Sequence, residues 1–428
     1  RQQLRENLPQ DTTFTQRGSP MKPLRVLMLG WEFPPFKSGG LGTACYGLTK
    51  GLDSKGVKTT FVMPVAPDGA KAKFVKLLPV SSITKNVKFK PIPSPLTAYM
   101  TYSGYEHHIS TNHTGKKKSV YGKDLFHEVQ RYTALAAHIA HEETHDIIHA
   151  HDWMTYQAGI IAKHTSKKPL IVHLHATEFD RTGGNPDPRI SHIEYRGLEA
   201  ADRVITNSEF SKQNILTHYN IPKTKIEVVH WGIDDEDVPL TASDSPLKEE
   251  KTVLFLGRVT LQKGPEYFIE AAKKVLDYEP HARFVMVGDG DLLPRTINRC
   301  AELGISDRVT FTGALSGADV HRAFQMAKVY VMPSVSEPFG LVALESLRNK
   351  TPVIMSKQSG ASEVVTHALK VDFWDVNELT NKIVNVLRHD SLQEELSENG
   401  HRESRKFGLE LPAEKVIAIY ERTLRRKH

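Results

Sequence analysis

The chain has 428 residues, 39% of them hydrophobic and 25% charged, an ordinary balance for a folded protein with a sizeable core. Its 56 basic and 50 acidic residues give a net charge of +6, without the alternation of basic and aromatic residues that single-strand nucleic-acid binders use. No apolar run approaches the ~18 residues that a membrane span needs. We therefore expect neither a nucleic-acid partner nor stable insertion into a membrane.

The first residues and the cysteines bear on location. Residues 1–20 are polar and aperiodic, so we expect a disordered extension there, with no charged and then apolar segment of the kind that directs secretion. The two cysteines, Cys45 and Cys300, fall in different expected domains and form no disulfide framework. Both observations favour a cytoplasmic protein.

Strands and helices alternate along the first half of the chain. Short apolar runs predict buried strands, and apolar residues at helical spacing predict helices. The stretch 65–122 is rich in Pro and Lys and suggests an insertion or a twisted set of strands rather than a helix. Strands are expected at 25–30, 59–64, 147–150, 170–174 and 203–206, and helices at 43–55 and 126–143.

The alternation resumes in the second half, after an acidic and polar break at 234–250 that we interpret as a linker. Two βαβ series predict an α/β protein with two doubly wound, Rossmann-like domains that face a cleft. We place these domains at 21–233 and 251–405, followed by a helix at 406–428 that packs back on the first domain. Strands are expected at 252–256, 283–288, 308–312, 329–332 and 352–355, and helices at 265–277, 291–303 and 317–326.

The segment 336–346, with sequence SEPFGLVALES, is the most informative in the chain. Pro338 cannot lie inside a helix and Gly340 lets the backbone approach a ligand, so a helix is expected to start at about Phe339. The first free amides of this helix, at Phe339, Gly340 and Leu341, would form an anion site that the helix dipole reinforces.

Two glutamates flank this anion site. Glu337 precedes it, and Glu345 lies about 7 Å further along the helix axis at ~1.5 Å per residue. A ligand with a sugar at one end, a diphosphate in the middle and a ribose at the other end matches that layout. A solvated glutamate before a buried helix would give the same pattern, so the pair alone leaves the question open.

Two cations in the same half of the chain favour the ligand site. Arg258 and Lys263 follow the strand expected at 252–256. The loop after such a strand lies at the crevice where open α/β sheets bind ligands. Arginine offers a fixed fork for phosphate oxygens and lysine a point charge. Each is more often a surface cation when alone, but with the two glutamates they describe a cradle for a nucleoside diphosphate.

These motifs, with GGLG at 39–42 after the first strand, resemble those of the retaining glycosyltransferases of the two-domain GT-B fold, namely family 4 and the glycogen and starch synthase group. The segments HAHDW at 149–153 and HLHATE at 173–178 are similar to segments of glycogen-synthase-like members. The resemblance extends from about residue 25 to about residue 406. It is specific for retaining GT-B enzymes and much less so for the sugar or the acceptor.

For the second domain, the resemblance implies donor binding and catalysis. Arg258 and Lys263, with the amides at 339–341, would stabilise the charge that builds on the leaving diphosphate. Glu345 would hold the ribose hydroxyls, and Glu337 would lie against the sugar. No metal or other cofactor is expected, because these cations and amides offset the diphosphate charge.

For the first domain, the resemblance implies the acceptor side of the cleft. Gly39 and Gly40 would approach the donor phosphates, and His175 would lie near the sugar as a catalytic residue. His151 and Asp152 would either contact the acceptor in the cleft or simply cap the following helix.

Two histidine patterns raise the alternative of a metal site. His149 and His151 alternate on a strand end, as do His173 and His175, so each pair shares one face of the sheet. This arrangement can hold a metal, but the commoner outcome is one histidine in the core and one at the cleft. The HEETH segment at 141–145 matches a zinc-protease pattern, although a strand begins so soon after it that the helix is expected to stop within the motif.

The sequence thus predicts a retaining hexosyltransferase. Its partners would be a nucleotide sugar, UDP-glucose or ADP-glucose, and a carbohydrate acceptor, with an α-glucan expected as in glycogen synthesis. Within the same class, a family 4 transferase acting on a sugar phosphate, a lipid or another small acceptor is the alternative. From another class, a non-catalytic nucleotide-sugar-binding protein would keep the cradle and would need neither Glu337 nor His175.

Overall fold

The computed structural model of the protein describes residues 23–33, 40–65, 87–93, 125–234 and 251–425. These residues form two parallel sheets, of seven and six strands, with helices packed around them. None of the described helices combines the length and the apolar character that a bilayer crossing requires.

The first sheet has the strand order β3-β2-β1-β4-β5-β6-β7, with every neighbouring pair parallel. The chain therefore winds outward in opposite directions from β1 and β4, and the crevice between the ends of these two strands is the switch point of the sheet. The strands are β1 Arg25–Leu29, β2 Lys58–Val65, β3 Val87–Pro93, β4 Ile147–His151, β5 Leu170–Leu174, β6 Arg203–Thr206 and β7 Ile226–Val228.

Helices follow the strands of the first sheet in the βαβ pattern. Strands β4 and β5 are buried along their whole length, which explains why their sequences are nearly continuous apolar runs. The helices are α1 Gly40–Ser54, α2 Leu125–Glu142, α3 Trp153–Ser166, α4 Glu178–Thr182, α5 Pro188–Ala200 and α6 Glu209–His218.

The second sheet repeats the same winding, with the order β10-β9-β8-β11-β12-β13, so its switch point lies between β8 and β11. Its strands are β8 Thr252–Leu256, β9 Arg283–Val287, β10 Val309–Gly313, β11 Val329–Met332, β12 Val353–Ser356 and β13 Leu369–Val371. Its helices, with the last one ending the described chain, are α7 Pro265–Leu276, α8 Leu293–Glu302, α9 Ala318–Met326, α10 Leu341–Arg348, α11 Ala361–Val364, α12 Val376–Arg388, α13 Asp390–Ser404 and α14 Glu410–Arg425.

The chain crosses between the domains along two neighbouring segments. The amide of Ile233 donates to the carbonyl of Phe407 at 2.8 Å. A side chain at Gly232 would place its Cβ 2.1 Å from the carbonyl oxygen of Gly408, so glycine is required where the two segments touch. Beyond this crossing, α14 packs against α1 of the first domain.

Three local expectations differ from the structure. Helix α1 begins at Gly40 rather than at 43, and β3 is a regular strand inside the stretch expected to be irregular. Helix α10 begins at Leu341 rather than at Phe339, because Gly340 has φ 102°, which is not a helical conformation. The linker at 235–250 and the extension at 1–20 lie outside the described residues.

The zinc-protease pattern does not form a metal-binding helix face. Helix α2 ends at Glu142, so His141 is on the helix and His145 is not. The ring of His145 is buried and lies 2.7 Å from the carbonyl oxygen of Glu143 and 3.1 Å from Ser166 Oγ. The two histidines therefore do not share one helical face. This agrees with the sequence, which predicted that the helix stops within the motif.

Candidate active site

The second switch point brings together the two loops that follow β8 and β11. Gly264 lies in the first loop with φ 65°, and a Cβ there would be 2.1 Å from the carbonyl oxygen of Pro333 in the second loop. Because only a glycine allows this approach, the loops carrying Lys263 and Glu337 lie side by side at the carboxyl ends of the strands.

Lys263 and Glu337 form an ion pair between these loops. Lys263 Nζ contacts Glu337 Oε2, and Ser334 Oγ donates to the same carboxylate oxygen at 3.3 Å. The side chain of Glu337 is 8% exposed and that of Lys263 is 20% exposed. The pair borders a small cavity lined by Phe255, Leu256, Lys263, Tyr330, Met332, Ser334, Glu337 and Val342.

The backbone of Glu337 is held by the loop that follows β12. Its amide donates to the carbonyl of Gln358, and its carbonyl accepts from the amide of Gly360, each at 2.9 Å. A Cβ at Gly360 would lie 2.3 Å from the carbonyl oxygen of Pro338, so glycine is again required for the contact. The carboxylate at the cavity is therefore positioned by three loops of the second domain.

The anion site at the start of α10 is displaced from its expected position. Since Gly340 is the N-cap with φ 102°, the helical amides begin at Leu341 instead of at Phe339. The side chains of Phe339 and Leu341 are both buried, 2% and 9% exposed, and fix the turn between them. Donor binding by the amides of Phe339, Gly340 and Leu341 remains a prediction, now centred on Leu341.

Arg258 and Glu345 border the same region. Arg258 lies in the loop of Lys263, and its Nη2 donates to Gln262 Oε1 at 3.4 Å. Burial raises the pKa of the Tyr330 hydroxyl, and the negative charges of Glu337 and Glu345 raise it further. Both carboxylates thus lie near enough to Tyr330 to affect its hydroxyl, and donor binding by Glu345 remains a prediction.

The first switch point has a different character. His149, His151, His173 and His175 form a stack of near-parallel rings, with centroids 4.3 to 5.3 Å apart. His173 and His175 stack in turn on Trp231, at 4.9 and 5.3 Å. We call these four imidazoles the histidine stack.

The expectation of one core and one cleft histidine in each pair is wrong. Three members of the stack are 0% exposed and His175 is 6% exposed, because Trp231 and Tyr420 cover the ends of β4 and β5. His149 Nδ1 lies 2.5 Å from Tyr420 Oη, and His151 Nδ1 lies 2.9 Å from His175 Nε2. His151 therefore contacts other histidines here, and its predicted contact with an acceptor would require the stack to open.

Burial also fixes the charge of the stack. It lowers the pKa of all four imidazoles, and it lowers the pKa of His175 to about 3. The rings are neutral near pH 7, so His175 can exchange hydrogen bonds with a sugar hydroxyl but does not act as a cation.

Two overlapping groups have ligand atoms close enough for one metal ion: Cys45 with His151 and His175, and His149 with His151 and His173. However, His149 Nε2 lies 3.2 Å from His173 Nδ1, and His151 Nδ1 lies 2.9 Å from His175 Nε2, so these nitrogens are already paired with one another. Burial raises the pKa of the Cys45 thiol, which opposes the thiolate that a metal needs. The arrangement therefore suits hydrogen bonding better than ligation, and the absence of a metal remains a prediction.

Asp152 has a strained backbone at the end of β4. Its φ of 60° and ψ of 167° fall in a region that is essentially reserved for glycine. The residue occupies the N-cap position of α3, but its side chain makes no cap hydrogen bond; instead Oδ1 accepts from the amide of His175 at 2.8 Å. The helix-cap interpretation is therefore wrong, and Asp152 positions the backbone of His175.

The predicted glycine loop is described only in part. Gly39 lies outside the described residues. Gly40 is the first residue of α1, and a Cβ there would meet nothing within 4 Å. Within the same turn, the amide of Gly42 donates to the buried carboxylate of Glu32 at 3.0 Å. Contacts of Gly39 and Gly40 with donor phosphates remain predictions.

Contacts between the domains converge on the loop of Glu337, which the sequence did not predict. Ser336 Oγ lies 2.5 Å from Asp180 Oδ1, and Ser208 Oγ donates to the carbonyl of Pro338 at 2.6 Å. The residues on either side of Glu337 are thus both bound to the first domain. Serine and aspartate at helix starts carried only a capping signal, so the contacts could not be recognised from sequence.

A second cross-domain contact lies at the start of α6. The carboxylate of Glu363 accepts from the amides of Glu209 at 3.0 Å and Phe210 at 2.5 Å, and it lies 3.3 Å from His230 Nε2. A carboxylate at a helix N-terminus is stabilised by the helix dipole. Glu363 of the second domain thus caps a helix of the first.

Comparison with known proteins agrees with this geometry. Residues 241–403 match the family described as glycosyl transferases group 1, and residues 25–226 match the starch synthase catalytic domain. An uncharacterised glycosyltransferase of Methanocaldococcus jannaschii is 31% identical over 357 residues, which is 80% of this chain and 83% of that protein. The chain belongs to the group 1 glycosyltransferases.

Other relatives of this group 1 glycosyltransferase include the D-inositol 3-phosphate glycosyltransferase of Mycolicibacterium smegmatis, 30% identical over 70% of this chain and 73% of that protein. Sucrose-phosphate synthase from Thermosynechococcus elongatus matches with a TM-score of 0.75 and 20% identity, over 93% of this chain and 98% of that chain. Anabaena HepE in complex with UDP-glucose matches with a TM-score of 0.68 and 19% identity, over 93% and 99%. The chain therefore has the two-domain GT-B fold that the sequence predicted.

Proposed function

We propose that this group 1 glycosyltransferase transfers glucose from a nucleoside-diphosphate glucose to an α-glucan, with retention at the anomeric carbon. The observation that carries the proposal is the contact of Lys263 with Glu337 beside a cavity at the switch point of the second sheet. A cation and a carboxylate at that place match a diphosphate and a sugar that lie next to each other.

The ion pair suggests how the donor is received. Lys263 and Glu337 neutralise each other in this ion pair. A bound diphosphate would draw the ammonium of Lys263 toward its oxygens, with Arg258 and the amides from Leu341 onward as further donors. The carboxylate of Glu337 would then face the sugar and stabilise the positive charge that develops at the anomeric carbon.

The resemblance to retaining GT-B enzymes implies a front-side route, which we propose for this protein. The bond between the anomeric carbon and the diphosphate oxygen breaks while the acceptor oxygen bonds to the same face of that carbon. The proton of the acceptor hydroxyl passes to the leaving phosphate oxygen. Lys263 and Arg258 would stabilise the charge on this oxygen, and Glu345 would hold the ribose hydroxyls of the donor.

The first domain would supply the acceptor side of the cleft. Neutral His175, fixed by Asp152 through its backbone, would hydrogen-bond a hydroxyl of the transferred sugar. Residues 25–226 match the starch synthase catalytic domain, which favours an α-glucan acceptor. A second candidate acceptor is an inositol phosphate, because several relatives that are 30% to 32% identical to this chain are named D-inositol 3-phosphate glycosyltransferases.

The test is release of nucleoside diphosphate from UDP-glucose and from ADP-glucose, each with glycogen, with maltoheptaose, with D-inositol 3-phosphate and with no acceptor. We expect release that depends on the glucan and yields lengthened chains. Release that depends on the inositol phosphate alone would favour the second candidate acceptor over the glucan. No release with any acceptor, together with intact nucleotide-sugar binding, would contradict catalysis and leave a binding protein.

Metal independence and stereochemistry are tested in the same assay. We expect turnover to persist in excess EDTA, because Lys263, Arg258 and the helix amides carry the diphosphate charge. The product linkage, followed by proton NMR of the anomeric signal, should be α. A β-linked product or complete loss of turnover in EDTA would contradict the mechanism.

A further inference from the structure

One aromatic side chain is unusually exposed at the edge of the second domain. Trp374 is 59% exposed, in the loop between β13 and α12. The other three tryptophans of the chain, Trp31, Trp153 and Trp231, are between 2% and 5% exposed. Tyr278 is exposed to nearly the same extent, at 58%, so exposure alone does not identify a site; Trp374 differs in the rings and polar groups around it.

Trp374 is the outer end of a row of three aromatic rings. Its centroid lies 4.8 Å from that of Phe373, and Phe373 lies 5.1 Å from Tyr267, with both pairs edge to face. Tyr267 stands in the first turn of α7, four residues after Lys263. We call these three residues the aromatic row.

The row is connected to the proposed active site through one residue. The backbone carbonyl of Gln358 accepts a hydrogen bond from the amide of Glu337 at 2.9 Å. Its side-chain oxygen accepts one from the amide of Phe373 at 3.4 Å. The row therefore begins beside the loops of Lys263 and Glu337 and leads away from them along the carboxyl edge of the sheet.

Polar groups flank the exposed ring. Lys357 Nζ contacts Asp372 Oδ2 at 2.8 Å, and Gln358 Nε2 donates to Asp372 Oδ1 at 3.0 Å. The side chains of Lys357 and Asp372 are 55% and 30% exposed. A flat apolar ring beside charged hydrogen-bonding groups matches a pyranose, which has an apolar C–H face and a rim of hydroxyls.

The size of the patch argues against a protein partner. A stable protein interface covers about 800 Å² on each partner and needs many contact residues. Tyr278, another exposed aromatic residue of the described chain, lies beyond the far end of α7, about 18 Å from the start of that helix at ~1.5 Å per residue. The exposed ring of Trp374 is therefore not part of an aromatic surface that continues to Tyr278, as a large protein interface would need.

We propose that the aromatic row is a saccharide-binding site that holds a part of the acceptor chain remote from its reacting end, with Trp374 stacked on a pyranose face. The proposal rests on the proposed function, since it needs an acceptor made of several sugar units. A chain held there remains tethered between successive transfers, so the site would favour long acceptors over short ones.

The exposed tryptophan is its own reporter. Because the other three tryptophans are buried, acrylamide quenching of the wild-type fluorescence reports mainly on Trp374. We expect glycogen and maltoheptaose to protect this fluorescence from acrylamide, and we expect the protection to vanish in Trp374→Ala. Full quenching at saturating glucan would overturn the proposal.

Kinetics give the second readout. We expect Trp374→Ala to raise the KM for glycogen about three- to tenfold, as one aromatic stacking contact of about 0.5–1.5 kcal/mol implies, with kcat and the KM for the nucleotide sugar unchanged. Tyr278→Ala, which removes a side chain that is 58% exposed, is the matched control and should change neither.

The two proposals fail in different ways. Glucan transfer without fluorescence protection, and with an unchanged KM in Trp374→Ala, would remove the saccharide site and leave the transferase. Protection by glucan without any glucan transfer would support the site and remove the proposed activity.

Discussion

The two switch points of this protein share one topology and differ in chemistry. At the first, four stacked histidines are buried, neutral and hydrogen-bonded to one another and to Tyr420. At the second, Lys263 and Glu337 are charged partners beside a cavity. The winding of a sheet thus fixes where a crevice forms, whereas the side chains at the strand ends set its charge and polarity.

This difference separates stability from turnover. A cation beside a cavity contributes little to the stability of a hydrophobic core. A cation that meets the charge developing on a phosphate strongly stabilises the transition state. Buried neutral rings do the reverse, because each loses hydrogen bonds and packing when a partner is removed. The variants below test that separation.

The largest effect is expected from Lys263→Ala. We expect kcat to fall about 10²- to 10³-fold, the usual loss for one donor to a developing negative charge, while the free energy of unfolding falls by no more than about 2 kcal/mol. Steady-state kinetics and urea unfolding measure the two effects. Lys251→Ala is the control, since Lys251 also pairs with a glutamate, Glu279, but at the opposite end of β8.

Arg258→Ala should act in the same way on turnover. If either variant folds normally and keeps near-normal kcat, the assignment of the diphosphate site to this switch point is wrong.

A change of pH should affect stability mainly through the first switch point. All four imidazoles have a pKa lowered by burial, to about 3 for His175, so the unfolded chain binds more protons than the folded one below about pH 6.5. Their contribution to stability is full above that pH and is lost as the pH falls below it, for His175 down to about pH 3. In this range, each of these histidines lowers the free energy of unfolding by up to about 1.4 kcal/mol for every pH unit of acidification.

Urea unfolding of wild type and His175→Gln at pH 7.5, 6 and 5 tests the titration of the histidine stack, because titrating groups outside the stack cancel in the difference. We expect the stability of wild type to fall more steeply with acid than that of the variant. Parallel curves would mean that His175 is protonated in the folded protein.

Tyr420→Phe tests the stack through a residue of the last helix. Removing the hydroxyl leaves His149 Nδ1 buried without its partner, which should cost about 1–3 kcal/mol of unfolding free energy, with kcat within about twofold of wild type. Tyr195→Phe removes a surface hydroxyl that contacts Glu199 and should change stability little. Equal stability of both variants would show that the stack does not depend on α14.

The smallest effect is expected at the contact between the domains. Glu363→Gln keeps the shape of the side chain but removes the charge at the start of α6, which is worth about 0.3–1 kcal/mol at a helix N-terminus. We expect kcat/KM to fall about two- to fivefold, because the loop of Glu337 is bound to the same domain surface. Glu398→Gln, which breaks an exposed pair with Lys350, should have no effect on turnover.

The sequence predicted the fold better than it predicted contacts between distant segments. Strands and helices repeat with local periodicity, so both sheets and the loops of Arg258 and Lys263 could be placed from single segments. The burial of the histidine stack depends on Trp231, against His173, and on Tyr420, against His149, both far away in sequence. The role of Glu363 depends on the start of a helix in the other domain. No periodic pattern contains this information.

Helix α10 shows a different limit. Gly340 was recognised as a residue that permits unusual backbone geometry, but the sequence did not indicate whether that freedom would be used inside the helix or before it. Its φ of 102° places it before the helix and moves the first free amide to Leu341. Strand β3 lies in the stretch expected to be an insertion or a twisted set of strands, and its bounds were not predicted because Pro and Lys in its sequence weaken the strand pattern.

Calorimetric titration of UDP and ADP into wild type, Lys263→Ala and Lys251→Ala tests the assignment of the diphosphate site most directly. One hydrogen bond to a charged group is worth about 1.5–3 kcal/mol, so we expect the tighter of the two nucleotides to bind Lys263→Ala about 10- to 100-fold more weakly than wild type. The affinity of Lys251→Ala should be unchanged. Equal affinity of wild type and Lys263→Ala would contradict a diphosphate site at the second switch point.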